Sequence, residues 1–149
     1  MTLEISLVLK GMMYPTIPGL IPFLETAAQY SRGRTTPDAL ITAFFNETYQ
    51  LWVVHDSDLK FYGFFATEVK TYPNKKMLAI QHCVIEPNMM EPVEAKMQVI
   101  ADKFARDNGC HGIEFVGRPG WKRHAEKFGY RAQSVCYQKF FEVTDEPST

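Results

Sequence analysis

Residues 77–116 read MLAIQHCVIEPNMMEPVEAKMQVIADKFARDNGCHGIEFV, and their pattern decides the fold. Met77 to Ile85 is almost continuously apolar, as a central strand covered on both faces requires. Pro87 and Pro92 interrupt it, and Pro92 suits the opening of a helix, where its missing N–H is no loss. Val93, Met97, Ile100, Ala101 and Phe104 then recur at helical spacing down to Gly109, a natural helix stop. Ile113-Glu114-Phe115-Val116 returns to strand character. A strand–helix–strand unit of this kind is a right-handed crossover that leaves its two strands parallel.

Upstream, Leu3, Ile5, Leu7 and Leu9 alternate with Glu4, Ser6 and Lys10, the pattern of a half-buried strand. Pro15, Pro18, Gly19 and Pro22 predict a break, followed by a short helix on Leu20, Ile21, Leu24, Ala27 and Ala28 that ends near Tyr30. Thr36-Pro37-Asp38 is a helix start with a threonine cap, proline in the first position and an acid in the first turn; Leu40, Ile41, Phe44 and Phe45 supply its apolar face. Leu51–Val54 and Phe61–Val69 are strands separated by the turn Asp56-Ser57-Asp58, and Tyr72-Pro73-Asn74-Lys75 closes the second. With Met77–Ile85 they make an antiparallel meander. Downstream, a short helix from Pro119 to Phe128, with Trp121 as its core anchor, stops at Gly129, and Arg131 to Glu142 reads as a long last strand. The expectation is an α+β domain over 1–143. Its mixed sheet is an antiparallel meander plus one parallel β-α-β crossover, with helices on both faces and a polar tail at 144–149.

The chain has 149 residues, 16 Lys+Arg against 17 Asp+Glu and a formal net charge of −1. A domain this long buries roughly 70% of its unfolded surface. With 46% hydrophobic and 22% charged residues the sequence is globular rather than disordered. Near-neutral charge speaks against nucleic acid as a partner. No apolar run reaches the ~20 residues needed to span a bilayer, so no membrane is expected. Met1-Thr2-Leu3-Glu4 lacks the order of a secretory signal, which predicts a cytoplasmic protein. Cys83, Cys110 and Cys136 are scattered through apolar surroundings; they read as core thiols, not as a disulfide framework or a metal site.

The element order, with a long helix between the fourth and fifth strands, resembles the GNAT superfamily of N-acetyltransferases from Leu3 to Phe141. Lys127-Phe128-Gly129-Tyr130 looks like the family's closing signature of lysine, apolar residue, glycine and aromatic. The strand at Leu51-Trp52-Val53, the Thr67-Glu68 pair before Tyr72-Pro73, and the run Gly117-Arg118-Pro119-Gly120-Trp121 look like a subgroup of small GNAT-like proteins encoded by tailed bacteriophages. The resemblance implies acetyl-CoA as cofactor and no metal. The pantetheine arm would lie along the fourth strand at Val84 and Ile85. The pyrophosphate would sit on the amides of Asn88, Met89 and Met90 at the start of the long helix, where free N–H donors and the helix dipole favour anions. Arg118 is a further anion-binding candidate, because an arginine fork matches phosphate.

The sequence departs from the family pattern at two places. The family's pyrophosphate loop is rich in glycine, whereas Glu86-Pro87-Asn88-Met89-Met90-Glu91-Pro92 has none. Two prolines lack N–H donors, and two glutamates bring negative charge to an anion's place. The tyrosine that many members use to protonate the leaving thiolate aligns with Ala125, and the asparagine that often opens the same helix aligns with Arg118. Transfer to an amine also needs a proton acceptor. The candidates are His82, whose ordinary pKa suits neutral pH, and Glu68 on the neighbouring strand.

Three functions follow as expectations. One is a GNAT-fold protein, catalytically degenerate and acting as a binding or assembly component, in a bacteriophage setting. The second is an active acetyl-CoA-dependent N-acetyltransferase acting on an amine. The third is an unrelated α+β domain. Adjacent aromatics at Phe44-Phe45, Phe64-Phe65 and Phe140-Phe141 imply a sheet covered on both sides or an aromatic surface for a homo-oligomer or protein partner.

Overall fold

A computed structural model describes residues 2–141. The tail expected at 144–149 lies outside them. Two compact units are distinguished, Met1–Phe115 and Val116–Thr149, and each is taken by itself. The first holds β1 (Glu4–Leu7), α1 (Lys10–Tyr30), α2 (Pro37–Phe45), β2 (Gln50–His55), β3 (Phe61–Thr71), β4 (Lys76–Ile85), α3 (Met90–Asp107) and β5 (Gly112–Phe115). Among its described residues the second holds a 3-10 turn at Pro119–Trp121 and the short helix α4 (Lys122–Lys127).

The sheet runs β1-β2-β3-β4-β5, antiparallel through β4 and parallel between β4 and β5. The crossover through α3 therefore has the parallel outcome that its sequence predicts. The two turns of the meander also form where turn residues stand. Asp56 Oδ1 accepts the N–H groups of Asp58 and Lys60, both at 2.9 Å, and the Tyr72 N–H donates to the Lys75 carbonyl at 2.7 Å. Helix α2 starts on its expected cap, with Thr36 Oγ1 accepting the Ala39 N–H at 3.1 Å. Gly109 ends α3 at a φ of 71°, a left-handed conformation that glycine adopts without strain.

Each face of the sheet buries its own apolar layer. Under α1 and α2 lie Leu51, Val53, Phe64 and Ala66, against Ile17, Leu20, Leu24, Leu40 and Phe44. Under α3 lie Trp52 and Phe65 with Met97, and Trp52 stacks on Phe65 with ring centroids 5.6 Å apart. Phe64 and Phe65 are both fully buried, on opposite faces. The strands covered on both sides are thus β2 and the first part of β3; β4, expected in that role, is half-buried along much of its length. Among the described residues no helix is long and apolar enough to cross a membrane.

Four expectations are corrected. The break expected at Pro15, Pro18 and Pro22 does not occur: all three lie inside the 21-residue α1. They stand on its exposed side, opposite the buried stripe Met13, Ile17, Leu20, Leu24 and Ala27. The carbonyls that the missing N–H groups leave unpaired therefore meet water, and core packing outweighs a helix penalty that would be decisive in isolation. Residues 131–141 have no regular secondary structure, so the long last strand is absent there. Apolar and aromatic residues permit a strand, but a strand exists only where a ladder forms, and among the described residues the sheet consists of β1 to β5. Trp121 is half-buried in a segment with no buried residues and is not a core anchor. Cys136 is exposed, while Cys83 and Cys110 are half-buried.

Candidate functional site

The decisive local feature is an inserted residue in β4. Ala66 of β3 faces His82 and Thr67 faces Ile80, so Gln81 has no partner across the ladder. Such a bulge bends the strand and re-aims its side chains. The parallel ladder to β5 ends at the same point, since its last pair is Ile80 with Phe115. From His82 to Ile85, β4 is therefore laddered to β3 alone, and because β5 ends at Phe115 the other edge of this stretch carries no strand among the described residues, at the carboxyl end of the parallel pair. Ligands enter open α/β sheets at such places.

The bulge gathers polar side chains on the α1/α2 face. Gln81 Nε2 donates to Glu68 Oε1 at 2.9 Å. His82, opposite Ala66, lies against Tyr49 with ring centroids 6.1 Å apart. Glu68 and Glu114 flank Ala79 in the register, one on β3 and one on β5, and the Tyr72 hydroxyl donates to Glu114 Oε2 at 3.0 Å. The electrostatics follow from this crowding. Burial lowers the His82 pKa below its ordinary value, so the ring is neutral at pH 7. Burial, and then the Glu68 charge, raises that of Tyr49. The bond to Glu114 raises that of Tyr72, with burial and the charges of Glu114 and Glu68 adding to it. The arrangement combines a neutral imidazole, which accepts protons, with two carboxylates, which attract cations.

Of the residues named from sequence, Glu68 and His82 are thus brought to one face. Val84 is buried among the α1/α2 layer, and Ile85 packs on the opposite side with Leu3, Val54, Tyr62 and Val93. The loop after β4 is a tight turn. The Glu86 N–H donates to the Tyr62 carbonyl at 2.8 Å, the Met89 N–H donates to the Glu86 carbonyl at 3.1 Å, and Asn88 has a left-handed φ of 68°. The Met89 amide is therefore already engaged, and its side chain joins one core cluster while that of Met90 joins another. Met89 caps α3 with no side-chain hydrogen bond, and Pro92 is the third helical residue. That leaves Met90 and Glu91 as the first-turn amides that have no carbonyl four residues back inside the helix. Arg118 lies in the second unit, where its carbonyl accepts the Trp121 N–H at 2.9 Å. Among the described residues no group of three His, Cys, Asp or Glu side chains converges as a metal site would require.

Sequence reasoning missed Tyr49, Gln81, Tyr72 and Glu114 as members of this cluster. Tyr49 stands between α2 and β2 with no motif around it, and the role of Gln81 exists only through a register shift. A sequence signal was available for Tyr72 and Glu114 alone, since strand ends beside a parallel crossover are where polar groups collect.

No protein-family model and no curated protein matches this sequence. Solved structures do match it in fold. The acetyltransferase Tb11.01.2886 of Trypanosoma brucei superposes with a TM-score of 0.70 at 11% identity, over 94% of this chain and 100% of that one. Glucosamine-6-phosphate N-acetyltransferase from Arabidopsis thaliana does so with a TM-score of 0.67 at 15% identity, over 95% and 100%. A predicted acetyltransferase from Clostridium acetobutylicum, solved with acetyl-CoA, gives 0.69 at 11%, over 93% and 96%. At such identities the likeness is one of architecture: the chain has the GNAT-like α+β fold.

Proposed function

We propose that the protein is an acyl-CoA-dependent N-acetyltransferase of cytoplasmic type, transferring an acetyl group to an amine, with weakened hold on its cofactor. The observation that carries this reading is the position of His82. It is a half-buried, neutral imidazole at the bulge where β4 leaves β5, beside Glu68 on the adjacent strand. The amine nitrogen attacks the thioester carbonyl, its proton passes to His82, the C–S bond breaks, and the thiolate leaves and takes up a proton from water. The carboxylates of Glu68 and Glu114 favour an acceptor that arrives as a cation. The residues present fit acetyl-CoA only in part. The Val84–Ile85 edge suits a pantetheine arm, and the Met90 and Glu91 amides offer two donors to the pyrophosphate, with the side chains of Glu86 and Glu91 set against it.

That last point favours a second reading, in which catalysis has been lost and the fold serves as a binding or assembly component, in a phage as the subgroup resemblance implies. Thermal melting with millimolar acetyl-CoA separates the two. Ligand at 100 times its dissociation constant adds about 2.7 kcal/mol, a rise of several degrees for a domain this size. The enzyme reading expects that rise, release of free thiol with an amine panel, and a larger rise in Glu91→Gln. Absence of any shift with acetyl-CoA or longer acyl-CoAs abandons the enzyme in favour of the binding component.

A further inference from the structure

The Tyr49 hydroxyl and the His82 ring nitrogens have no hydrogen-bond partner among the described residues, yet the two rings are in contact. Tyr49 is not free to move away. Its N–H donates to the Ala43 carbonyl at 3.2 Å, and the Thr48 N–H donates to the same oxygen at 2.9 Å. Its ring meets Phe44 edge-on at 6.4 Å, and Phe44 meets Phe64 edge-on at 6.3 Å. A chain of aromatic contacts thus runs from β3 through α2 and Tyr49 to His82. Among the described residues of the first unit, no other element puts an ionisable group against the imidazole. The inward residues of α1 and α2 are apolar, Ala66 is its cross-strand neighbour, and α3 packs on the far face. The charged neighbours on this face are Glu68, held by Gln81, and, beyond Ala79, Glu114, held by Tyr72.

We propose that Tyr49 is the positioning residue of His82: its ring covers one side of the imidazole and fixes it at the open edge of β4. The contact is ring on ring, so the aromatic surface does this and the hydroxyl does not. Calling His82 the proton acceptor rests on the acetyltransferase reading; the cover given by Tyr49 does not.

The test is a proton–carbon NMR titration of the His82 ring, assigned by its loss in His82→Gln. Tyr49→Leu, which keeps an apolar side chain for folding, should move the midpoint up toward the ordinary histidine value of about 6.5. Tyr49→Phe should keep the wild-type midpoint. In the same variants, the acid limb of kcat/KM for acetyl transfer should move with the NMR midpoint. An unchanged midpoint in a folded Tyr49→Leu protein overturns the proposal, as does an equal shift in Tyr49→Phe. A shifted midpoint in a protein that never transfers acetyl groups upholds the Tyr49 cover and overturns the acetyltransferase reading instead.

Discussion

Gln81, the residue that β4 inserts opposite β3, donates its amide N–H to the carboxylate of Glu68 at 2.9 Å. A bulge that opens the sheet edge is therefore also the device that holds an acid in place beside it. Gln81→Ala should leave the fold intact, lowering stability by about 0.5–1.5 kcal/mol for one part-buried hydrogen bond. On the acetyltransferase reading, transfer should fall roughly tenfold through a loosened Glu68, against roughly a hundredfold or more for His82→Gln, as expected for loss of a proton acceptor. Steady-state kinetics and thermal melting of the two variants check the order.

On the other face, Trp52 Nε1–H donates to Thr67 Oγ1 at 3.0 Å, and the Thr67 hydroxyl donates to Gln50 Oε1 at 2.9 Å. Thr67 is only 1% exposed. Thr67→Val keeps the shape and removes both bonds, leaving the indole N–H without an acceptor. Denaturant unfolding should register a loss of about 1–3 kcal/mol, the penalty of an unsatisfied buried donor. A change below a few tenths would mean that water replaces the hydroxyl.

At Gly63 of β3 the backbone of β4 leaves no room for a side chain. A Cβ placed there would stand 2.2 Å from the Val84 carbonyl oxygen and 2.8 Å from Ile85 Cα, at a φ of 154°. Both obstacles are backbone, so neither can swing aside. Gly63→Ala should destabilise the protein by about 3 kcal/mol or more, at the upper end of overpacking effects. The melting temperature of the variant, set against Gly120→Ala, where nothing lies within 4 Å, reads the difference directly.

Two half-buried groups set opposite pH limits. His82 is lowered in the folded state, so below the unfolded pKa of about 6.5 the unfolded chain binds more protons and stability falls as the pH drops. The Cys83 thiol is pushed by burial up to about 12, so in the alkaline range the unfolded chain loses a proton that the folded one keeps. Stability then falls as pH rises from about 9 toward 12. Urea melts should therefore be flattest between these windows. His82→Gln should flatten the acid side and Cys83→Ala the alkaline side.

The strand–helix–strand unit and the cap at Thr36-Pro37-Asp38 were legible because periodicity and caps are local properties, and these segments carry both without contradiction. Phe64-Phe65 was legible too, since adjacent strand residues must face opposite ways. Register was not. Nothing in the residues 77–85 says that Gln81 is inserted or that the β5 ladder stops at Ile80, and the site depends on that shift. Tyr49 reaches His82 only through the tertiary course of the α2–β2 connection. The start of α3 was legible in chemistry but not in geometry. The prolines and acids were evident, whereas the engagement of the Met89 amide by Glu86 required coordinates. Arg131 to Glu142 read as a last strand, and residues 131–141 form none, because apolar content describes a surface and not a partner.

The three prolines of α1 bear on the order in which this protein assembles. Without N–H groups at Pro15, Pro18 and Pro22, the helix cannot propagate along this stretch by itself, and a coil-like segment must wait for a surface to fold against. That surface is the meander, whose strands are linked by short turns and whose hydrogen bonds need nothing from α1. The sheet thus supplies the support that α1 needs to hold its helix. The element that roofs the His82 face is then the one whose structure is least self-sufficient, and that roof depends on the sheet beneath it.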